Sequence, residues 1–310
     1  MNKRYVHYIL AVAGSLLLIV VSCTLLLHRD DPLFDYQPDT TNLLPLPSST
    51  DIETRKAVVY DPVFLEDGSK RIKGNKSTPG DRQDFRFVDL DDIRWHGVRV
   101  QEGDFRGVSM RTAFCDSTDF RNCDFRFADL RWTSFNHSRF DSARLSQSML
   151  FRASMNDASL SNADLRGCNL FGLNGHRSNF RYCDFSNSLM KETVITDSDF
   201  THSKAIKVIF LLSVLSGSKF DSTDFCYADF TGAGLEDASF IRSRLWGVSF
   251  KGAHLQYADF SYADLKDANF FGAELAETNF IGARNIPDYL QDMLIDGIAT
   301  GIVLHQNNPE

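Results

Sequence analysis

Eight prolines occur in the 310 residues, yet none lies between Asp81 and Phe280. The breaks and spacers that proline marks are therefore confined to the two ends. The six cysteines include no CxxC pair, so the familiar zinc and redox frameworks are missing. There is no glycine-rich phosphate loop, and no Ser/His/Asp set with recognisable spacing, which leaves an enzyme without its usual chemistry. A surplus of positive charge is lacking too. The formal net charge is −8, which suits a soluble surface and gives no support to nucleic-acid binding. No cofactor or metal is expected.

Long apolar runs are also scarce, with one exception. Tyr8 to Leu27 is free of charge, and its twenty residues make a helix about 30 Å long, the depth of a bilayer core. Lys3 and Arg4 precede it, while His28, Arg29, Asp30 and Asp31 come after it. The positive-inside bias puts residues 1–7 in the cytoplasm and the remainder beyond the membrane. The expectation is a bacterial inner-membrane protein, single-pass, with a periplasmic body. Val20-Val21-Ser22-Cys23 offers the alternative of a lipoprotein anchored at Cys23, although Thr24 to Leu27 carry the apolar run past it. Residues 28–80 hold six of the prolines and read as an extended spacer. Within it, 56–72 alternates around Asp67-Gly68 and predicts a short hairpin that caps the segment beginning at Asp81.

From Asp81 to Phe280 the chain divides into forty blocks of five without insertion or deletion. The fifth residue is Phe in eighteen blocks and Leu in thirteen, and the third is small, with fourteen Ala, nine Ser and five Thr. A helix wants apolar residues every three to four positions and a half-buried strand every second one. A five-residue period fits neither. It fits a chain that turns a corner every five residues, with the third and fifth side chains pointing inward. Four sides make a square coil whose successive turns stack about 4.8 Å apart.

SNADL (161–165), CYADF (226–230), SYADL (261–265) and KDANF (266–270) resemble the A(D/N)LXX motif of the pentapeptide-repeat family. The resemblance implies an all-β solenoid, a right-handed quadrilateral β-helix of about ten 20-residue coils over 81–280. It also implies several functional settings found among family members. Some protect DNA gyrase by mimicking duplex DNA, an envelope immunity or secretion-accessory role is another setting, and some members dimerise through the C-terminal end. The coil carries 28 acidic and 23 basic residues, a thin surplus for a DNA mimic. After Phe280, the spacing of Ile286, Leu290, Met293, Leu294 and Ile298 predicts a capping helix within 281–310, with Pro287 near its start.

Stacking by twenties sorts the core. Phe180, Phe200, Phe220, Phe240, Phe260 and Phe280 fall in one column, and Phe210, Phe230, Phe250 and Phe270 in a neighbouring one, so side chains fill the interior. Gly175 is compensated by Leu173 in the same block. Cys115, Cys123, Cys168 and Cys183 point inward as small hydrophobes, and Cys226 points outward as a free thiol. Asp84, Asp104 and Asp124 beside Arg86, Arg106 and Arg126 predict two outer columns that neutralise each other. His96, His137 and His176 lie on a convex face and predict a solvated ladder rather than a metal site.

One outer feature stands apart. Met149, Phe151, Phe171, Leu189, Ile209, Leu211 and Leu212 share remainders of 9, 11 or 12 on division by twenty, with Val194 and Val214 on an adjacent face. A contiguous apolar stripe marks an interface. Two alternatives compete with a protein partner: the linker 28–80 folds back over the stripe, or the chain bulges locally at 206–215 where Ala205 fills its corner poorly. The leading expectation is a membrane-anchored, non-catalytic scaffold that binds a protein through its outer surface. The runners-up are gyrase protection and toxin immunity.

Overall fold

The computed structural model describes residues 62–64, 70–72 and 83–299. Tyr8–Leu27, Cys23 and most of the spacer lie outside them. Among the described residues, no helix is long and apolar enough to cross a membrane.

The repeat builds a β-solenoid, and one block shows how its backbone groups are used. Phe85 N–H donates to Asp104 O (2.8 Å), Phe87 N–H to Arg106 O (3.1 Å), and Asp104 N–H back to Gln83 O (2.8 Å), all between successive coils. Val88 N–H closes its own turn on Phe85 O (3.2 Å). Arg86 N–H, at the first position, donates to the Asp84 carboxylate (3.0 Å). Each of the five positions thus has an assigned acceptor, as a stacked backbone requires. Only the residues between corners are extended, so each side contributes a single bridging residue. Four parallel ladders result, running for example through Asp84, Asp104 and Asp124 and through Asp89, Ser109 and Asp129.

The corners are as regular as the ladders. The second residue of every block from Phe87 to Gly282 has positive φ, in thirty non-glycine and ten glycine positions. This is the left-handed conformation that a type II turn needs at its third residue. Most residues pay about 1 kcal/mol or more to adopt it, and Asn and Asp tolerate it best.

Inside, the predicted columns form. Phe240 stacks between Phe220 (centroids 4.9 Å apart) and Phe260 (4.8 Å). Phe250 stacks on Phe230 and Phe270 at 5.3 and 4.9 Å. The two columns are two sides apart in the coil rather than neighbours, and they meet edge-to-face, as Phe240 and Phe250 do at 5.6 Å and 83°. The space opposite Gly175 is taken by Ile195 and Phe180 as well as by buried Leu173.

The small third positions are polar as often as they are inert, with fourteen Ser or Thr against fourteen Ala. Ser178 Oγ donates to Met155 O at 2.6 Å, and Ser198 Oγ to Gly175 O at 2.7 Å. Ser178 N–H in turn donates to Ser198 Oγ (2.9 Å). Cys123, Cys168 and Cys183 use the same geometry, each thiol lying 2.6–3.0 Å from the carbonyl 23 residues earlier. They are serine substitutes, not merely small hydrophobes.

Both described ends of the coil are closed by hairpins. Strand β1 (Pro62–Phe64) pairs antiparallel with β2 (Lys70–Ile72), which runs parallel to β3 (Val98–Arg99). At the other end the expected short capping helix is a single turn, α1 (Asp288–Gln291). It is followed by strands β4 (Leu294–Ile295) and β5 (Ile298–Ala299). The reason is Asp296-Gly297, whose φ values of 49° and 81° make the tight turn that Asp-Gly favours in hairpins. The gain is edge coverage. Phe280 N–H donates to Gly297 O (2.8 Å) and Glu277 N–H to Ala299 O (3.1 Å). Phe270 N–H donates to the Tyr289 hydroxyl at 2.9 Å, and Leu290 is buried at the end of the core.

Candidate interaction surface

A solenoid filled with rings leaves its chemistry to the outside, and the fourth position of each block sets what appears there. Asp or Asn at this position accepts the N–H two residues on. Asp199 does so from Thr201 and Asp259 from Ser261, at 2.9 and 2.8 Å. Where Arg follows, its guanidinium also closes on the carboxylate. Arg106 grips Asp104 through Nε and Nη2 at 2.8 and 2.6 Å, and Arg126 grips Asp124 at 2.9 and 2.8 Å. Contacts of 3.7 and 3.8 Å link Arg86 to Asp104 and Arg106 to Asp124 across coils. Burial pushes the Asp119 carboxyl up, but hydrogen bonds from Arg121 and Gln101 outweigh it and hold the group below the ordinary carboxylate value. Burial opposes the shift at Asp164 too, and Arg166 holds that carboxyl down in the same way. The basic columns are thus consumed by acidic ones.

The histidines do not converge. His137 Nδ1 is 3.8 Å from Asp157, and His176 Nδ1 lies 2.5 Å from Thr196 Oγ1 and 3.7 Å from Asp197. Among the described residues no group of three or more His, Cys, Asp or Glu side chains could hold a metal ion. Cys226 departs from expectation. It is a free thiol but only 4% exposed, because Arg244, bound to Asp224 at 2.6 Å, lies over it with Nε 3.1 Å from Sγ.

The apolar stripe is assembled by the coil. Met149, Leu189 and Ile209 belong to one bridge ladder, interrupted by Asn169. Phe151 and Phe171 stack at the adjoining corner with centroids 5.3 Å apart. Leu211 and Leu212 stand two coils above Phe171, past Lys191. Ile209 and Leu212 are exposed at 39% and 48%, and the other five are half-buried. The ladders continue unbroken through Lys204, Ile209 and Val214, and Ala205 is buried. The chain therefore does not bulge at 206–215, and the exposure of these side chains belongs to the regular coil.

The structure adds a ring to the stripe that the apolar count left out. Trp132, 47% exposed, packs edge-on against Phe151 at 5.6 Å. Its remainder on division by twenty is the same as that of Leu212, so the signal was present. Cations lie over the rings: Arg131 over Trp132 (5.4 Å), Arg152 over Phe151 (5.6 Å) and Lys191 over Phe171 (5.9 Å).

The stripe also replaces fold-supporting residues. Leu189, Val194, Ile209 and Val214 occupy fourth positions. Asp or Asn there, present in eighteen of the forty blocks, can accept the next corner's N–H, whereas Arg, Lys and Ser among the described residues do not. Accordingly the N–H groups of Lys191, Thr196, Leu211 and Ser216 have no acceptor among the described residues. Each such hydrogen bond is worth about 1 kcal/mol. Apolar side chains here forgo that contribution and add nothing visible to the core.

Comparison with solved structures returns β-helical relatives of low identity. One is HetL, involved in heterocyst differentiation regulation in the cyanobacterium Nostoc sp. strain PCC 7120. It is 22% identical over 62% of this chain and 91% of its own, with a TM-score of 0.26. Another is QnrB1, a plasmid-mediated fluoroquinolone resistance protein, 18% identical over 65% of this chain and 92% of its own, with a TM-score of 0.36. A comparison with curated proteins returns no match. The family described as pentapeptide repeats matches in 8 copies that together span residues 104–284. With that span laid over the five-residue corners and four ladders, the chain belongs to the pentapeptide-repeat family.

Proposed function

We propose that this protein is a non-catalytic scaffold that holds a protein partner on the outer face of its β-helix. The coil, taken as right-handed like the family's, is carried beside a bilayer by Tyr8–Leu27, with Cys23 as the alternative point of attachment. The observation that carries the reading is the stripe from Met149 to Leu212. Met149, Leu189 and Ile209 put large apolar side chains at fourth positions, where eighteen of the forty blocks carry Asp or Asn and most others carry polar residues. They are contiguous with the Trp132–Phe151–Phe171 stack. Such a patch on an otherwise charged surface is the usual mark of an interface. The filled core supports the same reading, because function on a packed solenoid is carried by its surface.

The test is Phe171→Asp with Leu211→Asp in the full chain, cross-linked in intact cells. A control is Ser159→Asp on another face. The scaffold reading expects a discrete cross-linked partner to disappear in the first variant and persist in the control. Retention of every partner by the double variant refutes it. A reporter fused after Glu310 tests the topology, and activity only outside the cytoplasm is expected.

A further inference from the structure

The stripe differs in charge from the rest of the chain. Arg131, Arg152, Lys191 and Lys207 stand on or beside it against Asp129 and Glu192, which pair with Arg131 at 2.6 Å and Lys191 at 3.7 Å. The patch thus keeps a local excess of two positive charges in a protein of net charge −8. Its centre presents the N–H groups of Lys191 and Leu211, which have no acceptor among the described residues. The fitting occupant brings apolar side chains, negative charge and backbone carbonyls not already committed to a helix or sheet. A proline-containing segment meets the last requirement, since polyproline-type chain keeps its carbonyls free and docks on aromatic-lined surfaces.

The chain itself contains such a segment. Pro38 to Glu53 reads PDTTNLLPLPSSTDIE, with Leu43, Leu44 and Leu46 around its prolines, Asp39, Asp51 and Glu53 as its charges, and no basic residue. It precedes β1, whose hairpin is anchored at Val98–Arg99 through Lys70 and Arg71. The corner at Leu211 lies five to six coils above that rung, about 30 Å at about 4.8 Å per coil. The eighteen residues from Leu44 to Pro62 reach about 60 Å when extended. The tether is long enough with slack to spare.

We propose that Pro38–Glu53 is the resident occupant of the stripe, seating Leu43, Leu44 and Leu46 against Phe151, Phe171 and Leu211 with its acidic residues towards the basic rim. It rests on the reading of this corner as a docking surface, and it makes an external partner a competitor of the chain's own segment. Electrostatic complementarity of this kind supplies register and selectivity.

The experiment places photoreactive benzoylphenylalanine at position 44 of the full chain in native membranes and maps the adducts by mass spectrometry. The expected result is an intramolecular adduct within residues 149–212, reduced at least tenfold by F171D with L211D. Lys207→Glu, a change at an exposed position, reduces it severalfold, and Asp51→Lys with Glu53→Lys restores it. Adducts elsewhere on the coil, adducts only between two copies, or none at all overturn the proposal. The two readings fail separately. Loss of a partner in F171D/L211D without any position-44 adduct leaves the scaffold standing and removes this inference. An adduct with no partner dependent on the stripe does the reverse.

Discussion

Tyr227 lies across the bare Cα of Gly247, one coil above it. A Cβ built on Gly247 would stand 2.8 Å from Cδ1 of the ring and 2.9 Å from Cε1, at a corner whose φ is +63°. Corner side chains in this coil lean toward the next coil, so a large residue and a glycine twenty positions later form a matched pair. Tyr262 and Gly282 make the same pair, with a closest approach of 2.6 Å.

Gly247→Ala should therefore combine left-handed strain with a clash, lowering stability by about 1–3 kcal/mol. Gly252→Ala should show the strain alone, about 1 kcal/mol, because nothing lies within 4 Å of its added Cβ. Denaturant midpoints of the two variants give the comparison. Tyr227→Ala should recover most of the difference in the double variant, and equal losses in both single variants would contradict the pairing.

Phe240 is sandwiched between Phe220 and Phe260 and abutted by Phe230 and Phe250. Its ring has neighbours on every side that are themselves fixed by the ladders, so the site cannot collapse. Phe240→Ala should cost about 3–5 kcal/mol, measured by chemical denaturation. A loss below about 1 kcal/mol would show that the core relaxes like a loosely packed one.

Acid should destabilise the coil in a defined window. Burial alone would raise Asp91, Asp119, Asp164 and Asp199, but hydrogen bonds from their neighbours outweigh it and hold all four below the ordinary carboxylate value. The unfolded chain then binds more protons than the folded one. Their contribution is complete above the unfolded value of about 4 and is lost as pH falls through the folded-state values. Thermal melting followed by circular dichroism should be nearly flat from about pH 7 to 5 and fall below about pH 4. A steep loss within that neutral range would point to another group.

The core thiols should be silent. Burial pushes the Cys168 thiol up to about 12 and raises Cys115, Cys123 and Cys183 as well. Thiol reagents at mildly alkaline pH should modify none of these four until the coil unfolds. Because Cys183 already donates to Leu160 O, Cys183→Ser should change stability by less than about 1 kcal/mol. Cys183→Val deletes the donor and should cost more.

How far the period reaches is clear from where it stops. It assigns Phe240 and Phe250 to columns and puts Met149, Leu189 and Ile209 on one face, because inward or outward direction follows from position within five. The same period sets the two columns ten residues, hence two sides, apart, so their facing across the core was legible too. It does not bury Cys226, which depends on which way Arg244 folds. Trp132 lies within its reach, since its position in the coil matches that of Leu212. The C-terminal end escapes it, because Ile286, Leu290 and Met293 match a helix locally while Asp296-Gly297 signals a hairpin.

By itself, then, the sequence determined the solenoid, its corners and the membership of its core, since a strict five-residue period has one way to bury every fifth side chain. Tertiary structure alone decided how the C-terminal end is closed and which outer side chains touch. An unpaired coil edge recruits whatever backbone is nearest, and corner side chains lean onto a neighbour twenty residues away that no local pattern identifies.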